Sequence, residues 1–307
     1  MRVDFRKNPK AFVVINPVSG TLQPDMKRET IRSALQARNV PYEVYETTGK
    51  EQIPEVVREA VKIGFELFLV AGGDGTVSAV GSGLVGANLP LVVIPTGTWN
   101  ALARNLDIPL QIEQALELLF GEHEIRTIDV MQVGDNFHLL NISSGVGARA
   151  MRNVEREHKR RFWVFADLWV ALSQLMGFQT HRFEVRIDGQ VTTFRALEVM
   201  VANSRIIGIK SMRLDPGIRM DDGKLNVCRI NANNLIDLLD LAISMLQGKQ
   251  RENLHVMCLD AFQEVEIRAR RKLPVQADGD LIGYLPISVK VRPKALQIVT
   301  PPGVAEV

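Results

Sequence analysis

A glycine-rich turn with one acid is the stretch of this sequence most suited to chemistry. The apolar run Phe68-Leu69-Val70-Ala71 leads into Gly72-Gly73-Asp74-Gly75-Thr76. Glycines permit backbone angles that a Cβ forbids, and they let a polyanion approach main-chain N–H groups. An acid among those amides favours a magnesium ion, or its water shell, between the Asp74 carboxylate and a phosphate. The stretch predicts a strand that feeds a phosphate-binding turn, with Thr76 capping the next helix; a turn with packing duties alone is the alternative.

Two more apolar runs end in polar loops. Residues 11–15 lead into Asn16-Pro17-Val18-Ser19-Gly20, and residues 91–94 lead into Pro95-Thr96-Gly97-Thr98-Trp99-Asn100. The carboxyl ends of parallel strands share one edge of a sheet, where ligands bind. The three loops therefore predict one wall of a nucleotide site. The sequence contains no GxxxxGK[ST] motif, which excludes a P-loop with its lysine.

The elements that position these loops alternate between strand and helix. Helices are predicted near residues 25–38, 53–63 and 76–84, with a strand at 42–45. This alternation is typical of a parallel, doubly wound α/β sheet.

After about residue 125 the pattern becomes one of recurring strands. Three Asp-Gly pairs, Asp188-Gly189, Asp222-Gly223 and Asp278-Gly279, are hairpin signals. They predict a mainly antiparallel β-sandwich or barrel, interrupted by helices near 152–177 and 234–247. We expect an α/β domain over residues 1–128 and a β-sandwich domain over 129–307, whose last strand is free to return to the first domain. The predicted strands cover residues 126–133, 139–142, 183–187, 196–202, 225–230, 265–269 and 287–291.

Composition excludes several classes of protein. The chain has 307 residues and a net charge of +2, which is too small for a general nucleic-acid binder. Cys228 and Cys258 lack a CxxC spacing, so two reduced thiols in a cytosolic setting, without structural zinc, are expected. The sequence has no recognisable signal peptide and no apolar run of the roughly 18 residues that a membrane span needs. The five histidines are scattered without ligand spacing, which favours structural roles.

With its three loops in this order, the chain resembles the diacylglycerol kinase and sphingosine kinase-like lipid kinases, especially their soluble bacterial members. The resemblance continues through Val201-Ala202-Asn203-Ser204, Asp221-Asp222-Gly223-Lys224 and Asp278-Gly279-Asp280, and so covers nearly the whole chain. It implies transfer of the γ-phosphate of ATP, with Mg²⁺, to the hydroxyl of diacylglycerol or a related lipid. It also implies that the nucleotide cleft lies between the two domains.

The resemblance gives roles to particular residues. Asp280 is the implied proton acceptor, and Asp74 is the second implied catalytic acid. A structural Mg²⁺ is implied at Asp222, held with the backbone carbonyls of Arg219 and Lys224. The residues implied to bind ATP are Asn16, Pro17, Ser19, Gly20, Thr47, Gly72, Gly73, Asp74, Gly75, Thr76, Thr98 and Asn100.

The chain also departs from the family pattern. Asp280 replaces the usual glutamate, and Ser78-Ala79 and Asn100-Ala101 lack two expected carboxylates. A displacement of about 1 Å can cost on the order of 10²-fold in rate. A nucleotide-binding regulator with weakened catalysis is therefore one alternative. Phosphorylation of a soluble acceptor, as in NAD kinases with their Gly-Gly-Asp-Gly motif, is another, although the Pro-Thr-Gly-Thr segment and the late Asp-Gly-Asp argue against it.

The second substrate is expected at a membrane. The segment from Arg149 to Trp169 joins a basic stretch to an aromatic and aliphatic one, which suits peripheral contact with an anionic surface; a solvated helix face with core packing is the alternative. A cytoplasmic protein, peripheral at the inner membrane surface and without a nucleic-acid partner, is predicted. The sequence leaves open whether the protein forms a homodimer.

Overall fold

The computed structural model describes residue 3 and residues 8–20, 23–148, 180–206, 213–232, 235–247 and 255–303. The chain divides into two compact units, one of residues 1–128 with 294–307 and one of residues 129–293. The helix predicted at 152–177 and the Arg149 to Trp169 segment lie outside the described residues. Among the described residues, no helix is both long and apolar enough to cross a bilayer.

The first unit is built on a parallel sheet, as predicted. Its strand order is β2-β1-β3-β4, and the last residues of β16 pair with β4, also in parallel. Strands β1 and β3 are buried throughout, as expected for strands covered on both faces. The strands are β1 (Ala11–Ile15), β2 (Tyr42–Glu46), β3 (Leu67–Gly72), β4 (Pro90–Pro95) and β16 (Ile287–Thr300), and the helices are α1 (Pro24–Gln36), α2 (Ile53–Lys62), α3 (Asp74–Leu84), α4 (Ala101–Asn105) and α5 (Ile112–Phe120).

Helix α3 begins two residues earlier than predicted. Gly73 occupies its N-cap position, and Asp74 is its first residue. The prediction that Thr76 caps this helix is therefore wrong, because Thr76 lies inside the first turn. There its hydroxyl accepts a hydrogen bond from another loop instead.

The second unit contains two antiparallel sheets, as predicted. One sheet has the strand order β12-β11-β10-β7-β14-β15. In the other sheet, the first residues of β16 pair with β13, β13 pairs with β8, and β8 pairs with β9. Their strands are β5 (Glu124–Val133), which enters from the first unit, β6 (Asn136–His138), β7 (Asn141–Gly145), β8 (His181–Ile187), β9 (Gln190–Ala196), β10 (Glu198–Ala202), β11 (Leu225–Ile230), β12 (Val256–Ala261), β13 (Glu264–Ala269), β14 (Pro274–Ala277) and β15 (Asp280–Tyr284), with helix α6 at Leu235–Gln247.

Alternation along the strands explains the core of this unit. In β8, Phe183 and Val185 are buried, whereas Arg182, Glu184 and Arg186 are exposed. The buried set packs with Val199, Val227 and other apolar residues from both sheets. Strand β8 thus contributes one face to the interior, as in other sandwiches, whereas β10 is buried along its whole length and packs on both faces.

Two of the three Asp-Gly pairs form the predicted hairpin turns. Asp188-Gly189 joins β8 to β9 and Asp278-Gly279 joins β14 to β15, with positive φ at all four residues. Asp222-Gly223 is not a hairpin, so that prediction is wrong. It lies in the loop before β11, where the N–H of Gly223 donates to the buried carboxylate of Asp129 at 2.7 Å.

The cysteines differ from the expectation as well. Cys228 on β11 and Cys258 on β12 are cross-strand partners, and they form a disulfide. Two reduced thiols are therefore not what the structure contains. Their separation of 30 residues gave no local signal, because only strand pairing brings them together.

Candidate active site

Hydrogen bonds join the three polar loops of the first unit. The Asn16 side chain donates from Nδ2 to Thr76 Oγ1 at 2.9 Å, and the hydroxyls of Ser19 and Thr96 lie 2.6 Å apart. Backbone bonds add to these, since the N–H of Thr96 donates to the carbonyl of Gly72 at 3.1 Å. Residues 16–20, 72–76 and 95–100, which we call the strand-end loops, therefore form one connected structure.

Glycines let these loops touch through their backbones. A Cβ on Gly20 would lie 1.8 Å from the carbonyl oxygen of Thr96, and Gly20 has a φ of +65°. A Cβ on Gly97 would lie 2.5 Å from the Cα of Gly73. Contacts this close leave no room for any side chain. The three loops thus meet through bare backbone at the carboxyl ends of β1, β3 and β4, and their role as a phosphate cradle stays a prediction.

The first turn of α3 provides the polar edge of this cradle. The N-terminus of a helix carries partial positive charge and N–H groups without partners in the helix, so it favours anions. Asp74 sits at this end, and one of its carboxylate oxygens accepts the N–H of Leu102 at 3.2 Å. Asp74 therefore also ties α3 to the start of α4.

The remaining predicted ATP contacts divide into two groups. Thr98 is exposed beside the cradle, whereas Thr47 is buried at the end of β2 with its N–H bonded to Ile15. Asn100 has a left-handed backbone, and its side chain bonds both the N–H and the carbonyl of Gly97. The Asn100 amide thus shapes its own loop.

Lys27 is a functional candidate that the sequence analysis did not identify. Its side chain is fully buried, and its ammonium donates to the backbone carbonyls of Ser19, Pro17 at 3.3 Å and Asn16 at 3.5 Å. Burial lowers the pKa of this lysine from 10.5. The helical spacing of Lys27, Ile31 and Leu35, the buried residues of α1, was the available signal. Lys27 places a positive charge directly behind the first strand-end loop.

In the second unit, Asp278 and Asp280 have different surroundings. The Asp278 carboxylate accepts backbone N–H groups from Leu139 at 2.8 Å, Leu140 at 2.9 Å and Asn141 at 3.0 Å. Asp280 is exposed at the start of β15. Asp278 therefore anchors the turn, and Asp280 is the acid that the turn presents to solvent.

Gln276 holds the same turn from the other side. Its Oε1 accepts the N–H of Gly279 at 3.0 Å, while its Nε2 donates to Asn141 Oδ1 at 3.0 Å and to Ser143 Oγ at 2.9 Å. Gln276 is itself buried. The backbone between the two acids is thus fixed by a buried amide.

The chain of hydrogen bonds ends at a buried acid. Ser143 Oγ donates to Glu198 at 2.5 Å, and the N–H of Gly147 donates to its other oxygen at 2.9 Å. Only 1% of Glu198 is exposed, and burial raises the pKa of its carboxyl to about 7 despite both bonds. A group that titrates near neutrality is therefore connected to the Asp278–Gly279 turn. Its sequence signal was a charged residue inside the apolar run Val199-Met200-Val201 and its neighbours.

His138 lies near both acids of the turn. Burial lowers the pKa of its imidazole, and the negative charges of Asp278 and Asp280 oppose that shift. Structural roles were expected for all five histidines, whereas the charges of both turn acids, the candidate base Asp280 among them, act on His138. By contrast, His123 accepts the N–H of Val3 at 2.9 Å, which is a structural contact.

The predicted metal loop contains oxygen donors with a nearby lysine. Burial raises the pKa of Asp222, and the charge of buried Asp129 adds to the rise, while Lys224 opposes it. The ammonium of Lys224 lies 3.8 Å from Asp222 and 2.7 Å from Asp260. A cation would relieve the repulsion between the carboxylates of Asp222 and Asp129, so these residues are compatible with Mg²⁺. In the described part of the chain, no three acids, histidines or cysteines form a metal cluster.

Comparisons with known proteins place the chain in a family. Residues 10–133 match the diacylglycerol kinase catalytic domain, and residues 141–300 match the YegS C-terminal NAD kinase beta sandwich-like domain. A probable lipid kinase YegS-like protein of Pseudomonas fluorescens is 29% identical over 279 residues, covering 89% of this chain and 91% of the relative. The diacylglycerol kinase of Bacillus subtilis is 25% identical over 283 residues, covering 90% and 91%.

A solved structure shows the same fold. A crystal structure of a proposed diacylglycerol kinase from Bacillus anthracis superposes with a TM-score of 0.82 at 24% identity, covering 96% of each chain. Together the two domain matches span most of the sequence. The chain therefore belongs to the diacylglycerol kinase-like family of lipid kinases, and it is a phosphotransferase of that family.

Proposed function

We propose that this protein transfers the γ-phosphate of ATP, in a Mg²⁺-dependent reaction, to the hydroxyl of diacylglycerol or a related lipid. The observation that carries the proposal is the joining of the strand-end loops by the Asn16–Thr76 and Ser19–Thr96 bonds. These bonds assemble a cradle of bare backbone at a helix N-terminus, and phosphates bind such sites.

Charge neutralisation has two sources in this proposal. The Lys27 ammonium lies behind the residue 16–20 loop, and its bonds to Pro17 and Ser19 fix the path of that backbone. Mg²⁺ held between Asp74 and the phosphates would supply further electrostatic stabilisation. Electrostatic stabilisation of this kind, together with positioning of the reactants, is most of what a protein contributes to catalysis of phosphoryl transfer.

Asp280 is the residue proposed to accept the proton of the lipid hydroxyl. Its carboxylate is exposed at the start of β15, whereas the neighbouring Asp278 is occupied by three backbone amides. Two hydrogen-bonding side chains, Asp278 and Gln276, hold the turn that presents Asp280. A positioned base of this kind contributes about 10²- to 10⁴-fold to rate.

The lipid acceptor is proposed from the relatives. The proteins of Pseudomonas fluorescens and Bacillus subtilis are named as a lipid kinase and a diacylglycerol kinase, and each aligns with about nine-tenths of this chain.

Transfer of labelled phosphate tests the proposal directly. Purified full-length protein is incubated with γ-labelled ATP, MgCl₂ and mixed micelles that contain diacylglycerol, and the labelled lipid is separated and counted. Asp280→Asn is expected to keep ATP binding by calorimetry and to lose at least about 10² in turnover. The matched control is Asp135→Asn, another exposed acid of the second unit, which should match the wild type.

The possible results separate the rival functions. ATP binding without transfer to any lipid contradicts the kinase proposal and favours a nucleotide-binding regulator. Transfer to NAD in place of lipid favours a soluble acceptor, for which the NAD kinase-like description of the second domain is the specific observation. Unchanged turnover in Asp280→Asn removes Asp280 from its role.

A further inference from the structure

One end of an outer sheet face in the second unit carries opposed arginines. Arg182 on β8 is the direct cross-strand partner of Arg195 on β9, and both side chains are exposed. Arg270 follows Ala269, the β13 partner of Phe183, so it comes to the same end of the sheet. Like charges opposite each other destabilise a strand pair. The arrangement therefore costs stability, and an anionic partner would relieve the repulsion between the arginines.

Nearby acids do not neutralise this set. Arg182, Arg270 and Arg271 form no ion pair with any residue that the structure describes, and Arg195 donates to Thr180 instead of to an acid. The next outward row contains Glu184, opposite Arg268, and Glu266 is bonded to Arg268 at 3.2 Å. We call Arg182, Arg195, Arg270, Arg271 and Lys272 the basic end.

An exposed aromatic ring borders the basic end. The Lys272 ammonium lies 4.5 Å from the centre of the Tyr284 ring, and Tyr284 is 40% exposed. Leu281, on the same strand β15, is 44% exposed. Tyrosine is enriched at the headgroup level of membranes, because one end of its ring is apolar and the other polar. The region thus combines positive charge with partly apolar bulk.

We propose that the basic end docks on the surface of an anionic membrane. The proposal rests on the proposed lipid acceptor, since such a lipid resides in a bilayer. A bilayer presents many phosphates in one plane, which suits arginines set side by side at the end of a sheet. A nucleic-acid strand needs a longer positive groove. Here the acid Glu184 stands in the very next row.

Vesicle binding tests this docking without ATP or turnover. Full-length protein is sedimented with vesicles of phosphatidylcholine alone or of phosphatidylcholine and phosphatidylglycerol in equal parts. The test variant is Arg182→Gln with Arg195→Gln and Arg270→Gln, and the control removes the same charge from the first unit through Arg32→Gln, Arg58→Gln and Lys62→Gln. Each basic residue near an anionic surface contributes roughly fivefold, so the test variant should lose at least about tenfold in binding to the anionic vesicles.

The expected pattern is binding to anionic vesicles only, retained by the control variant and lost by the test variant. Because the substitutions remove a repulsive pair, the test variant should unfold in urea at the same or a higher concentration than the wild type. Equal losses in both variants, or none in either, overturn the proposal. So does arginine-dependent binding to a DNA duplex without vesicle binding, which would indicate a nucleic-acid partner.

Failure of the docking and failure of the kinase activity have different signatures. A short-chain diacylglycerol dissolved as a monomer needs no membrane, so the test variant should phosphorylate it as the wild type does. Absence of that reaction in the wild type contradicts the proposed function and leaves the vesicle result to stand alone.

Discussion

The strand-end loops and the Asp278–Gly279 turn are held in place by opposite means. In the strand-end loops, backbone meets backbone, as at Gly20 against Thr96 and Gly97 against Gly73. In the turn, side chains of Asp278 and Gln276 bond to backbone amides. The first arrangement leaves no space for a side chain at the contact. The second depends on the hydrogen-bonding groups and the length of particular side chains.

This difference suits what each region is proposed to bind. Phosphates are recognised by main-chain N–H groups, so bare backbone in fixed positions is an advantage. A proton acceptor needs one carboxylate at a fixed position, and buried hydrogen bonds can provide that. We therefore expect the loops to be sensitive to volume and the turn to be sensitive to hydrogen bonding and pH.

Gly20→Ala is expected to have the largest effect. The new methyl would meet the Thr96 carbonyl oxygen at 1.8 Å, and the φ of +65° would be strained as well. We expect a loss on the order of 4 kcal/mol in the free energy of unfolding in urea, and loss of ATP binding by calorimetry.

Gly86→Ala is the matched control. Gly86 also has a positive φ, of +81°, but a methyl there would contact nothing within 4 Å. It should lose only about 1 kcal/mol, the cost of the left-handed backbone. Equal losses in the two variants would mean that backbone conformation, and not contact between the loops, governs this region.

The protonation of Glu198 is expected to have the next largest effect. Its pKa in the folded protein is about 7, against 4.5 without the fold, because the carboxyl is buried. Since the folded state binds the proton more tightly, this group stabilises the fold fully below pH 4.5, and the stabilisation is lost as pH rises to 7. The loss is about 3 kcal/mol, at roughly 1.4 kcal/mol per pH unit.

Glu198→Gln isolates that contribution. Glutamine matches the shape of the protonated acid and cannot ionise. Urea unfolding at pH 5 and pH 8 should show the wild type losing about 2.5 kcal/mol more than the variant between the two pH values, since part of the titration lies below pH 5. Parallel losses in both proteins would show that Glu198 does not titrate in this range.

Local sequence patterns predicted the elements and the strand-end loops. Continuous apolar runs gave the buried parallel strands, and Asp-Gly pairs gave the β8–β9 and β14–β15 turns. The meeting of the three loops followed from the rule that parallel strands end at one sheet edge. These features depend on residues close together in sequence or on a general property of the fold.

Features that depend on distant partners were not predictable. Gln276 reads as one polar residue in a strand until Asn141, 135 residues away, is placed beside it. Asp278 resembles an ordinary turn residue in the sequence. Its bonds to Leu139 and Asn141, which lie far earlier in the chain, become apparent only once β7 and β14 are paired in register. The disulfide and the buried Lys27 ammonium were not predictable for the same reason, because each needs a partner from another element.

Asp278→Asn tests the claim that the turn is anchored by charge. The asparagine amide keeps one acceptor oxygen for the backbone amides of Leu140 and Asn141, but it loses the charge and the acceptor for Leu139. We expect a loss of about 2 kcal/mol in the free energy of unfolding. Asp280→Asn is the control in the same turn, and its exposed side chain should change stability by less than about 0.5 kcal/mol. The reverse order would make Asp280 the anchor.

Gln276→Met is expected to have the smallest effect on stability and a selective one on activity. The methionine removes the acceptor of the Gly279 N–H and the donor to Ser143, at a cost of about 1 kcal/mol. A base displaced by a fraction of an ångström should lower kcat about tenfold, while the Kd for ATP stays unchanged. Gln190→Met, the same substitution at an exposed site of the second unit, should match the wild type in both. Because the turn is proposed to position the base and the strand-end loops to bind the nucleotide, a weaker Kd for ATP with unchanged kcat would contradict this division of roles.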